Sequence, residues 1–130
     1  MQSTDLKSSL RLAATNARTW FESESTAISA DEFGKRSEKG KAPRCAVYVY
    51  YGTAGALYVG HTKRGLKARL YDQTSPHAKK PWWSQWHTVR YLPIKEETDR
   101  LVLEMMLVLA YQPPYNHKPA GKRVDDLFAL

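Results

Sequence analysis

The chain reads as an α+β domain: a small, three-stranded, mainly antiparallel sheet flanked by helices, with an N-terminal helical extension. Three observations carry that expectation. The first is "CAVYVYYGTAGALYVGHT", Cys45 to Thr62, two valine- and tyrosine-rich runs around a glycine-bearing break. This is the composition and punctuation of a β-hairpin. The second is "HTVRYLPI", which alternates loosely and supplies a third strand. The third is "KEETDRLVLEMMLVLAYQ", which opens on acids, is apolar on nearly every face and is stopped by Pro113 and Pro114. A helix apolar all round is a buried helix.

The remaining elements fit around these. Residues 1 to about 27 place Leu6, Leu10, Ala13, Ala14, Ala17 and Phe21 at helical spacing, with Thr4 or Asp5 as N-cap. "SADEFGKRSEKGKAPR" is polar, carries two glycines and reads as a solvated linker with basic character. "RGLKARLYDQ" is a short helix with Leu66 and Leu70 on one face. "TSPHAKKPWWSQW" is a loop, and "PPYNHKPAGKRVDDLFAL" an irregular tail with a short final helix. The expected organisation is residues 1–44 as helix and basic linker, 45–118 as the functional domain and 119–130 as tail.

A length of 130 residues suits one domain with a modest core. Lys and Arg number 20 against 13 Asp and Glu, a net charge of +7, which points to a polyanionic partner, nucleic acid ahead of an anionic membrane. The single cysteine, Cys45, excludes an internal disulfide, and no Cys/His cluster has zinc spacing. The N-terminus has no apolar signal core, and the longest apolar run, "LVLEMMLVLA", is interrupted by Glu104. An intracellular (cytoplasmic) protein is expected.

Glu104 is the residue that asks for an explanation. A carboxylate among Leu101, Val102, Leu103, Met105, Met106 and Leu107 needs a partner. Either an arginine (Arg69, Arg90 or Arg100) supplies it, or Glu104 faces a cleft and holds a hard divalent cation such as Mg²⁺. Tyr48 and Tyr58 pose a similar choice between strand wall and machinery.

The order of these residues resembles the GIY-YIG nucleases, a small endonuclease domain found in excision-repair incision enzymes, homing endonucleases and some restriction enzymes. The resemblance runs from about Cys45 to Asn116. "AVY" at Ala46–Tyr48 sits where the family has Gly-Ile-Tyr, and "YVG" at Tyr58–Gly60 where it has Tyr-Ile-Gly. Arg69 follows where an arginine is expected, Glu104 where the family's glutamate is expected, and Asn116 after the proline break in "PPYN". Ala46 replaces the first glycine. Gln73 stands where many members carry a histidine, and His77 is the nearest candidate for that role.

The resemblance implies a metal-dependent endonuclease that hydrolyses DNA phosphodiesters, double-stranded DNA being the leading substrate. Tyr58 would be the general base, its phenolate favoured by a nearby cation, for which His61 or Lys63 is placed. Tyr48 would orient water or substrate, Arg69 would grip the phosphate, Glu104 would bind one Mg²⁺ or Mn²⁺, and Asn116 would brace the site. Around this centre Lys63, Arg64, Lys67, His77, Lys79 and Lys80 form a candidate DNA surface, with Trp82 and Trp83 either stacking on bases or capping the core. Trp86 reads as core, and Gly60 as a point of close backbone or phosphate approach. Cutting both strands with one site requires a dimer or sequential nicks. Two other classes remain: a nucleic-acid-binding module without catalysis, and a protein-interaction module using the tryptophans.

Overall fold

A computed structural model of the chain describes residues 3–33, 44–63 and 76–116. In order they form helix α1 (Ser3–Glu24), strand β1 (Thr26–Ser29), a short helical turn α2 (Ala30–Phe33) and strands β2 (Ala46–Gly52) and β3 (Gly55–Thr62). A 3₁₀ turn (Pro76–Lys79), strand β4 (Thr88–Pro93) and helix α3 (Glu97–Tyr111) follow. The expected "RGLKARLYDQ" helix, most of the basic linker and the tail past Asn116 lie outside the described residues.

The sheet has four antiparallel strands in the order β1-β4-β2-β3, where three were expected. The extra strand is "TAIS", whose four residues pair with β4 from Thr26↔Tyr91 to Ser29↔Thr88. Too short to show a period, it reads as part of a helix end and linker; its pairing with β4 is what makes it a strand. The hairpin is as expected: Gly52 pairs with Gly55 across a two-residue loop, and Gly55 takes a φ of 129°. A register shift at Tyr50/Tyr51 leaves Leu57 as the extra residue between the Tyr50↔Tyr58 and Tyr51↔Ala56 pairs. That bulge puts Tyr58 opposite Tyr50 and, two residues on, Gly60 opposite Tyr48.

The pleat sorts the sequence onto two covered faces. Val47, Val49 and Val59 pack with Ala14 and Phe21 of α1 and Leu103, Leu107 and Val108 of α3. Tyr48 and Tyr50 pack on the other face with Leu57, Trp82, Val89 and Tyr91. No helix among the described residues covers this second face; the Pro76–Trp86 segment does. Each large side chain so buried contributes about 1.5–3 kcal/mol. The N-terminal segment therefore shares the domain's core through α1 and its sheet through β1.

Helix α3 departs from the expectation of burial all round: Leu101, Val102 and Met105 are 46%, 52% and 57% exposed. Its inner face alone meets the sheet and α1, because nothing else among the described residues is large enough to enclose it. Gln112, in the left-handed region at φ 48°, closes the helix through its N–H to the Val108 carbonyl, just before the two prolines. Arg100, 2% exposed, donates from Nη1 to the Ile94 and Lys95 carbonyls and so ties the β4–α3 connection to the helix. A hydroxyl chain joins three elements: Tyr51 and Tyr111 share a 2.7 Å hydrogen bond, and Tyr111 donates to Glu22 at 2.7 Å. Burial pushes the Tyr51 hydroxyl from 10.0 up to about 12 and raises that of Tyr111 further. No described helix is long and apolar enough to cross a membrane.

Candidate active site

Four consecutive residues of β3, Tyr58 to His61, organise the site. Strand alternation sends Tyr58 and Gly60 to the tyrosine face and Val59 and His61 to the α3 face. Each of the four meets a different candidate residue or its support.

Tyr58 is half-buried and stacks on Trp82, with ring centroids 5.2 Å apart and planes at 14°. The His77 ring lies 5.0 Å away and the Tyr48 ring 6.5 Å away. Tyr48 is wholly buried, and its hydroxyl and His77 Nε2 share a proton across 2.7 Å. The expected contact of Tyr48 with water or substrate is thus replaced, in this structure, by contact with His77. Gly60 is what admits that arrangement. A Cβ built on it would lie 2.6 Å from the Tyr48 hydroxyl oxygen and 2.7 Å from Cζ. The close approach expected at Gly60 is to a side chain of the protein itself.

On the opposite face His61 Nδ1 contacts Glu104 Oε2. Their side chains keep 32% and 25% exposure, so Glu104 sits at a mouth rather than in a sealed core. The partner expected of Glu104 was an arginine or a cation. Arg100 is taken up by carbonyls, Arg90 donates to the Glu22 carbonyl and Ser25 Oγ, and Arg69 lies outside the described residues; among the described residues His61 stands beside Glu104. Lys63 also turns to α3, its Nζ 3.1 Å from Glu97 Oε1, and that hydrogen bond and charge hold Glu97 below the ordinary carboxylate range. His61 and Lys63 both make their recorded contacts with α3.

Asn116 grips Val59 between these two clusters. Its Oδ1 accepts from the Val59 N–H and its Nδ2 donates to the Val59 carbonyl, both at 2.8 Å. The side-chain amide thereby completes the ladder at the open edge of β3, as a neighbouring strand would. The Tyr115 N–H adds a bond to the Leu57 carbonyl at 3.3 Å.

Of the residues named for a DNA surface, His77 lies in the core at 3% exposure, and Trp82, for which core capping was one of two readings, is 1% exposed. The tyrosine face needs cover, and the loop supplies its ring systems for that. Trp83 is half-buried and rests on Tyr50 and Trp86, whereas Lys79 and Lys80 are exposed. Arg64, Lys67 and Arg69 lie outside the described residues. The link that sequence reasoning missed is Tyr48–His77. The motif spacing pointed to Gln73, and only the 3₁₀ turn at Pro76–Lys79 carries His77 over the sheet.

The donor chemistry at Glu104 fits a divalent cation: one carboxylate beside one imidazole, both partly open to solvent. Among the described residues no group of three or more His, Cys, Asp and Glu side chains gathers anywhere. A cation here would depend on water and substrate oxygens for the rest of its shell.

Among curated proteins, UvrABC system protein C of Bacteroides thetaiotaomicron is 37% identical to the chain over 75 residues. The matched stretch covers 54% of this chain and 12% of that protein, so the chain spans a small part of its relative's length. No family model matches the chain, and no solved structure matches it.

Proposed function

We propose that this protein is a divalent-metal-dependent endonuclease of the GIY-YIG type that hydrolyses DNA phosphodiester bonds. One observation carries the reading. Tyr48, Glu104 and Asn116 come from separate parts of the chain, and each touches the four-residue stretch Tyr58–His61 on strand β3. The partial similarity to UvrABC system protein C supports a nuclease acting on DNA. The surplus of Lys and Arg suits a phosphate backbone.

In this reading Tyr58 takes the proton of the attacking water, since it is the half-exposed tyrosine of the pair. An unperturbed phenol has a pKa of about 10, so Tyr58 needs support to act near neutrality. The buried, hydrogen-bonded Tyr48–His77 pair behind it holds the ring cluster in place. Arg69 is assigned to the scissile phosphate, where its planar fork donates two hydrogen bonds. Glu104, with Mg²⁺ or Mn²⁺, forms the metal site. A cation held by Glu104 would supply Lewis-acid stabilisation of the charge that develops on the phosphate. Asn116 fixes the strand from which Tyr58 and His61 project.

The test is incubation with supercoiled plasmid and Mg²⁺ or Mn²⁺, beside Tyr58→Phe, Glu104→Ala and EDTA controls. Conversion to nicked or linear DNA, lost in all three controls, is the expected result. Salt-sensitive binding without cutting in any of several DNA forms would replace the nuclease with a binding module.

A further inference from the structure

Glu104, the residue assigned above to the cation, has the imidazole of His61 beside it. His61 follows Gly60 on β3, and its Nδ1 meets the very carboxylate oxygen, Oε2, that Glu104 offers from α3. The imidazole from β3 and the carboxylate from α3 stand side by side, and both remain partly open to solvent. They are carried by rigid backbone: β3 is fixed by its ladder with β2 and by the Asn116 amide, and α3 by Leu103 and Leu107 in the core. No other protein cation competes for Glu104 among the described residues whose partners are set out above: Lys63 is drawn to Glu97, Arg90 to Glu22 and Ser25, and Arg100 to two carbonyls.

We infer that His61 is a second metal ligand, so that the site is a mixed nitrogen–oxygen pair selective for Mn²⁺ and other first-row transition ions over Mg²⁺. The chemistry is that of the donor. A carboxylate alone suits Mg²⁺, which keeps several waters and gains little from imidazole. Imidazole nitrogen raises affinity along the first-row series and so discriminates against Mg²⁺. Because only two protein donors meet here among the described residues, affinity is modest and the remaining positions stay available to water and phosphate oxygens. The inference rests on Glu104 being the metal ligand of the proposed nuclease.

The test uses the full chain with MnCl₂ or MgCl₂ and no nucleic acid. Bound Mn²⁺ is measured by electron paramagnetic resonance, and nitrogen coordination by ¹⁴N modulation of its spin echo. His61→Gln preserves a donor for the Glu104 carboxylate, and Glu104→Gln removes the charge. The wild-type protein is expected to show ¹⁴N modulation. His61→Gln should lose it, bind Mn²⁺ about tenfold more weakly or less, and change in Mg²⁺ affinity by under about threefold. Mn²⁺ bound through Glu104 without ¹⁴N modulation, or with modulation that survives His61→Gln, overturns the inference and leaves the nuclease reading standing. Mn²⁺ binding that Glu104→Gln leaves unchanged overturns both, and no Mn²⁺ binding in the absence of nucleic acid overturns the inference alone.

Discussion

Replacing Gly60 with alanine tests whether the tyrosine face is built as described. The new Cβ would stand 2.6 Å from the Tyr48 hydroxyl oxygen, 2.7 Å from Cζ and 2.9 Å from Cε2, where ordinary contact begins at 3.4 Å. The ring end must retreat by about 0.8 Å, and it is wholly enclosed, with His77 and Tyr50 against it. Overpacking of this kind costs about 1–3 kcal/mol. A displaced hydroxyl also loses its 2.7 Å bond to His77, and a buried polar group left without a partner costs about 1–3 kcal/mol. The loss of chain entropy in the unfolded state returns up to about 1 kcal/mol. The net expectation is a destabilisation of about 2–4 kcal/mol out of a total of about 5–15. For a domain of this size the melting temperature falls by about 3–5 °C per kcal/mol. Urea denaturation of Gly60→Ala, alone and in a Tyr48→Leu background, measures it. Leucine lacks the ring end, so in that background the glycine change should cost under about 0.5 kcal/mol. A wild-type midpoint for Gly60→Ala, or an equal cost in both backgrounds, would refute the packing argument.

Other expectations follow from the same contacts. Asn116→Ala removes both bonds to Val59 and should cost about 1–3 kcal/mol in urea denaturation, while Asn116→Asp keeps the acceptor and should fall between. Trp82→Ala empties the second core and should cost about 3–5 kcal/mol; half-buried Trp83→Ala should cost less than half of that by the same assay. Lys79→Ala with Lys80→Ala should leave stability within about 0.5 kcal/mol and lower the slope of log affinity against log salt by about 1.8 if both lysines meet phosphate. Burial raises the Tyr51 hydroxyl from 10.0 to about 12, so the folded state holds that proton more firmly than the unfolded chain. Its stabilisation is complete below pH 10 and lost as pH rises through about 12, an alkaline decline in denaturation midpoint that Tyr111→Phe should alter.

The elements legible in the sequence were those with long, regular patterns. The hairpin, β4 and α3 follow from alternation, turn residues and caps, with boundaries within two residues. What escaped were features set by tertiary contact. Thr26–Ser29 is a strand only because β4 offers it an edge. The bulge at Leu57 leaves no mark in composition, yet it decides which face Tyr58 occupies. The apolar surface of α3 suggested enclosure, but the inner face alone found partners. At the site, Glu104 was legible as a carboxylate in need of a partner, and that partner proved to be His61. Alternation could have given this: three residues after Tyr58, His61 must face the other way. His77 looked like surface because its loop is rich in lysine and proline, and for Trp82 base stacking and core capping stood side by side; both are buried against the tyrosine face, which this segment covers among the described residues.

The position of β3 at the sheet's edge gives the arrangement its sense. A terminal strand must satisfy its outward N–H and carbonyl groups or leave them to water or another chain. A fifth strand would do so along its whole length, and would enclose Tyr58 and His61 as it did. The Asn116 amide does so at Val59, with the Tyr115 N–H at Leu57. Tyr58 and His61 stay half-exposed on either side of it. The strand is thereby anchored at Val59, between Tyr58 and His61, with both side chains left partly exposed. Rigid support with local access is what an acid–base group and a metal ligand both require. On the proposed nuclease reading, Asn116 is a positioning residue. Its loss should lower cleavage by more than the fraction of unfolded protein explains, with Mn²⁺ affinity and plasmid nicking declining together, because one strand carries both groups.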